Sequence, residues 1–208
     1  MDFPTTTKVG RVIPKEKFYT KTTVNTKLRQ MFVDEIDKIV WTNKIAPETL
    51  NITAKHYAEL QVFEITLKGS TISSQVLKHI DTFIPYPILF ILKHTGATKA
   101  VMGYKEPNLN NQNQMKTDAY YETSWQPTIN LEIKGRSVDE IYKNFLHQIN
   151  PDLQKTSQPD LKTSVVHLKQ QAVIKKQIDA LNRKIANEPS VAKRQELARE
   201  RHKLEQQP

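Results

Sequence analysis

Two prolines, Pro151 and Pro159, divide this chain into stretches whose apolar residues follow different spacings. Downstream, single aliphatic residues recur by four, three and four at Ile174, Ile178, Leu181 and Ile185, which is a helical seam of the coiled-coil kind. Upstream, short apolar clusters alternate with turns, and helical and strand periods succeed one another. No single period fits both stretches, so the chain is read as a layered domain followed by a helical appendage. Its 208 residues suit that division better than two full domains.

Residues 1–24 read as an extended arm carrying Lys8, Arg11, Lys15, Lys17 and Lys21. Asn25 or Thr26 caps an amphipathic helix expected over about 25–42, with Leu28, Phe32, Ile36 and Ile39 on one face. A strand follows over 57–68. Leu60 and Val62 share one of its faces while Phe63, Ile65 and Leu67 share the other, as expected for a strand packed on both sides or one with a bulge. A short helix over 72–82 precedes Ile84-Pro85-Tyr86-Pro87, which the prolines hold extended.

Strands are then expected at 88–93 and 100–104, joined as a hairpin through His94–Lys99. An Asn- and Gln-rich loop should occupy 105–117, and two further strands 120–125 and 128–134. Ser137 and Glu140 form a capping box opening a last helix, whose apolar face holds Val138, Ile141, Tyr142, Phe145, Leu146 and Ile149. The fold class is therefore α/β or α+β: a mixed sheet with flanking helices over 25–149, mostly antiparallel in its second half. Residues 150–160 read as a linker. Residues 161–208 read as a basic, coiled-coil-like helical hairpin broken at Asn187–Ser190, with Val191, Leu197 and Leu204 on the inner side of its second helix.

Charge sharpens the division. The whole chain carries +9, and residues 161–208 hold eleven Lys/Arg against five Asp/Glu. Lys175, Lys176, Arg183, Lys184, Lys193, Arg194, Arg199 and Arg201 on the hairpin could neutralise nucleic-acid phosphates, giving salt-sensitive, sequence-tolerant binding. A docking arm for an acidic protein surface explains the same residues. No aromatic residue interleaves with them, so base stacking on the hairpin is not expected.

Several chemistries are excluded or unsupported. The chain has no cysteine, hence no disulfide, thiolate metal site or cysteine nucleophile. Five scattered glycines form no phosphate loop. The histidines at 56, 79, 94, 147, 167 and 202 lack i, i+3 or i, i+4 pairs, so no histidine metal site and no resident cofactor is expected. No apolar run approaches the roughly 18 residues of a membrane span, and a cytoplasmic location is expected.

The enzymatic alternative is a metal-dependent nuclease. Glu132-Ile133-Lys134 has the acid-x-Lys form on an expected strand, where one carboxylate and one lysine could hold Mg²⁺ and activate water, with Asp118, Glu122 or Glu35 as partner acid. The plainer reading is a solubilising strand end. Asp34, Asp37, Lys38 and Trp41 are explained by a salt-bridged helix flank. Glu59, Gln61 and Glu64 lie on the central strand, where buried carboxylates must be paired, and Glu64 is the leading single candidate for a polar site.

Phe3-Pro4, Ile13–Phe18, Phe32–Trp41 with Asn43-Lys44, Glu59–Ile65 and Ile84–Leu92, together with the basic C-terminus, occur in an order and spacing that resembles a bacterial and archaeal family, domain of unknown function 4391. Members of that family look like neighbours of helicases and DNA methyltransferases in restriction-like phage-defence islands. The resemblance implies an accessory, non-catalytic role beside a helicase- or methyltransferase-type partner, with DNA as a further ligand. It carries over no catalytic residue.

Overall fold

A computed structural model describes residues 3–20, 24–108, 111–155 and 160–206. The chain forms two compact units, Met1–Pro151 and Asp152–Pro208. The first is a six-stranded mixed sheet with flanking helices, and the second is a pair of helices.

The first unit opens with a 3-10 turn and strand β1 (Lys8–Val12), followed by a second 3-10 turn at Lys15–Phe18. Part of the basic arm is thus an edge strand. Lys15 is bound through its Nζ to the Ile36 carbonyl at 2.7 Å, and Lys21 lies outside the described residues. Helix α1 (Thr26–Glu35) is capped by Asn25, whose side chain accepts from the Leu28 N–H at 2.7 Å.

The helix expected to continue to residue 42 stops at Glu35, and Ile36–Ile45 form strand β2. Five β-branched residues at 36, 39, 40, 42 and 45 favour the strand. The helical-looking spacing of Ile36 and Ile39 has a different cause. A register shift between Ile36 and Lys38 sets Ile36 opposite Leu67 and Ile39 opposite Ile65, so both face the same core. The bulge adds one residue, turning a period of two into a step of three.

A short helical turn α2 (Pro47–Leu50) leads to strand β3 (Leu60–Leu67), which is packed on both faces. Helix α3 (Ser74–Phe83), capped by Ser73, buries Val76, Leu77 and Ile80 and crosses over to strand β4 (Ile88–His94). β4 lies parallel to β3, and every other neighbouring pair in the sheet is antiparallel. Thr95 and Gly96, with φ of 43° and 80°, turn the chain tightly into strand β5 (Ala97–Asn108).

Strand β6 (Asn111–Glu122) completes the order β1-β2-β3-β4-β5-β6. The polar loop expected at 105–117 is therefore the far end of a long ribbon. Its ladder is made by the backbone, which is indifferent to Asn and Gln side chains. Conversely, no strand forms over 128–134. Ile129 and Leu131 are buried while 130 and 132 are exposed, so the alternation is genuine. The hydrogen bonds come instead from helix α4 (Val138–Ile149): Gln148 accepts from the Glu132 N–H and donates to its carbonyl, both at 2.9 Å, and Asn144 donates to the Lys134 carbonyl. Ser137 caps α4 by accepting from the Glu140 N–H. Glu140 reaches back one residue further than a capping box requires, to the Arg136 N–H.

In the second unit a short turn α5 (Asp152–Lys155) precedes helices α6 (Leu161–Asn187) and α7 (Val191–Glu205), capped by Asp160 and Ser190. Residues 156–159 of the expected linker lie outside the described residues. Leu181 is buried and Ile174, Ile178, Ile185, Leu197 and Leu204 are half-buried, as the seam requires. Val191 is 61% exposed rather than inward. It stands six residues before Leu197, about 120° around the helix from that position. No described helix is long and apolar enough to cross a membrane.

Candidate functional site

The first unit carries a cleft of about 640 Å³ on the sheet face opposite α3, at the carboxyl ends of the parallel strands β3 and β4. Alternation places Glu64 and Thr66 of β3 on this face, with Ile91 and Lys93 of β4 beside them. The Glu64 carboxylate accepts from Lys93 Nζ at 2.7 Å, and both side chains remain partly exposed, at 29% and 45%. Thr42, Asn43 and Thr98 also line the cleft but are engaged within the fold, with Val62 O, Thr7 Oγ1 and Gln126 O respectively. Phe3, Pro127 and Ile129 supply an apolar wall.

Glu64 therefore meets a lysine, but a different one from that suggested by its sequence neighbourhood. Glu132 and Lys134 pair with each other at 2.7 Å on an extended, unladdered segment, 67% and 63% exposed. The Lys134 hydrogen bond and charge hold the Glu132 carboxyl below its usual range. Two of the three acids considered as their partners are held elsewhere: Glu35 accepts from the Ser73 N–H at 2.6 Å, and Glu122 pairs with Lys99 at 2.7 Å. Among the described residues, no three His, Asp or Glu side chains gather as a metal-binding group. Glu59 pairs with Lys44, which also holds Glu48, each at 2.6 Å.

A polar cluster that the sequence reading missed lies beneath the β5–β6 ribbon. Lys105 and Asp81 are 1% and 2% exposed and stand 2.8 Å apart. Lys105 Nζ donates to the carbonyls of Asp81, Ile84 and Tyr86, so the Pro85-Tyr86-Pro87 segment and the end of α3 converge on one ammonium. The other carboxylate oxygen of Asp81 accepts from Thr117 and Tyr120, each at 2.6 Å. Burial pulls the Lys105 ammonium below its ordinary range against the opposing charge of Asp81, while burial and then that charge push the Tyr120 phenol up. Tyr142 ties the ribbon to α4 by donating to the Gly103 carbonyl and accepting from the Lys105 N–H. The available signal was Asp81 itself, one turn from Leu77 on the buried face of α3.

In the helical pair, Lys175, Lys176, Arg183, Lys184, Lys193, Arg194 and Arg199 are all exposed, and none is within ion-pair reach of a described acid. Arg201 differs: it is half-buried, donates to Asn182 across the pair at 3.2 Å and pairs with Glu205. It is thus part of the hairpin's own fastening. The histidines are dispersed. His79 packs among Phe32 and Phe83, His56 pairs with Asp139 at 2.9 Å, and His94 lines the cleft.

No curated protein and no solved structure matches this chain. One family model does, described as domain of unknown function (DUF4391), over residues 1–207. With its sheet, cleft and basic helical pair covered from end to end, the chain belongs to the DUF4391 family.

Proposed function

We propose that this chain is a cytoplasmic, non-catalytic accessory protein of a bacterial restriction-like or phage-defence system, using its basic helical pair to hold a helicase- or methyltransferase-type partner and DNA. The observation that carries the reading is the set of seven exposed cations on α6 and α7 without an acidic partner among the described residues. A helical pair fastened by one buried leucine and a few half-buried aliphatics gains little from its own packing. Cations left unpaired along such an element are best matched to an anionic surface.

DNA is tested by mobility shift in low and moderate salt, using the whole protein and an Arg183→Glu/Lys184→Glu/Lys193→Glu/Arg194→Glu variant. Seven phosphate contacts would weaken binding roughly a thousandfold or more between about 50 and 200 mM salt. The variant should lose most of that affinity. Binding by the variant equal to that of the parent protein would overturn the assignment to the helical pair. Retention of a partner by the protein on an affinity column, lost in the same variant, tests the protein arm.

A second reading, a divergent Mg²⁺-dependent nuclease, is favoured by one observation: Glu64 and Lys93 meet in a cleft large enough for a ligand. It requires Mg²⁺-dependent strand cleavage that disappears in Glu64→Gln and Lys93→Met. Unchanged cleavage in both would end it.

A further inference from the structure

The cleft on β3 and β4 has an unusual combination of walls, and its chemistry narrows what it can take. It lies on the open face of the sheet, towards the carboxyl ends of its one parallel pair, β3 and β4. Its volume of about 640 Å³ lies within the range of small-molecule sites. Thr42 and Thr98 donate their hydroxyl hydrogens to main-chain carbonyls and Asn43 donates to Thr7, while Glu64 and Lys93 are the acid and the lysine of the lining. One N–H of the Lys93 ammonium is held by Glu64. The other two, and the second oxygen of Glu64, have no partner among the described residues.

A bare anion would meet Lys93 alone and leave the second oxygen of Glu64 without a donor. A neutral aromatic compound would fill only the wall made by Phe3, Pro127 and Ile129, where Phe3 is set in place against the Phe145 ring at 5.9 Å. A guest that satisfies both walls carries an anionic group for Lys93, a hydrogen-bond donor for Glu64 and a flat apolar body. We propose that the cleft binds a nucleotide unit, with its phosphate on Lys93, a sugar hydroxyl or base amine on Glu64, and its base against Phe3, Pro127 and Ile129. This inference stands apart from the helical pair, since every residue it uses belongs to the first unit.

The test is titration of the ¹⁵N-labelled full chain, followed by amide chemical shifts, with deoxynucleoside 5′-monophosphates, the corresponding nucleosides, inorganic phosphate and a short oligothymidine. The monophosphates should move the amides of Glu64, Thr66, Lys93 and Ile129 with affinities above those of nucleoside or phosphate alone. Lys93→Met should weaken that binding about tenfold or more. Glu64→Gln, equally mild to the fold, should alter which nucleotide binds best. Tighter binding of oligothymidine than of monophosphate would identify the unit as part of a single strand, and the reverse as a free nucleotide. Shifts confined to residues 161–206, no shifts at millimolar ligand, or identical shifts with phosphate alone would each overturn the proposal.

Discussion

Lys105 and Asp81 form an ion pair 2.8 Å long with both side chains almost sealed from solvent, and three main-chain carbonyls share the same ammonium. The pair joins the end of α3 to β5 and, through Thr117 and Tyr120, to β6. Removing one partner leaves an uncompensated buried charge. Lys105→Met or Asp81→Asn should each cost about 3–5 kcal/mol in urea unfolding, while Lys105→Met/Asp81→Asn costs well under the sum of the two. Additive losses would show that the two side chains do not act as a unit.

Gly103 lets this cluster close. A methyl group there would stand 2.6 Å from Thr117 Cγ2 and 3.2 Å from both Asp81 Oδ2 and Tyr120 Cε1. Gly103→Ala should therefore destabilise by about 1–3 kcal/mol through overpacking. Thr117→Ser removes the crowded methyl but keeps the hydroxyl that Asp81 accepts from, so Gly103→Ala/Thr117→Ser should recover part of the loss. Failure of the serine to help would place the strain elsewhere.

The tyrosines give an alkaline signature. Burial pushes Tyr121 up to about 12, with the Asp118 charge adding to it. Burial raises Tyr57 and Tyr120 further still, with Asp139 and Asp81 respectively as the leading charges, and raises Tyr142 well above its ordinary value. In the unfolded chain these phenols ionise near 10.0, so the folded state retains protons that the unfolded state releases. The contribution of these phenols to stability should be constant below that pH and fall above it, by up to roughly 1.4 kcal/mol per pH unit for each. Burial also raises Tyr19, with the Glu16 charge adding to it, so phenolate absorbance should show five of the seven tyrosines ionising late. Smooth titration of all seven near 10 in a folded protein would contradict the burial described.

Around residue 132 the main chain matters and the side chain does not. Glu132→Ala and Lys134→Ala should leave the melting temperature and any nucleic-acid binding or cleavage unchanged, since their ion pair is open to water. Gln148→Ala removes both bonds that bracket the Glu132 backbone and should cost about 1–2 kcal/mol. The reverse ranking would return Glu132 to the list of functional residues.

What could be read from the residues depended on whether the signal was local. Asn25, Ser137 and the two prolines around Tyr86 act within a few positions: the structure places a helix start and a helix cap at the first two, while at the third Ile84 is extended and Pro85 and Tyr86 form a bend. The step from Ile36 to Ile39 misled because a bulge against β3 imitates a helical turn, and a bulge is a property of two strands. Ile129 and Leu131 misled for the opposite reason: their alternation is that of a strand, yet α4 supplies amides in place of a neighbour. Glu64 stood out as a carboxylate on a central strand. Its lysine could not be read beside it, because Lys93 arrives from β4, 29 positions along the chain, after a crossover helix.

The edge strand β1 bears on how the sheet ends. All five of its residues are exposed, and a newcomer pairing with its free side would meet Lys8 and Arg11 together with a kink where Gly10 takes φ of 67° and the register slips. Like charges and a local twist are the means by which an open edge is kept from templating another chain. The slipped glycine and its two flanking cations thus act as a terminator, keeping six strands from becoming the seed of a longer, intermolecular ribbon. Replacing them with flat, uncharged β-formers would convert this border into an aggregation front.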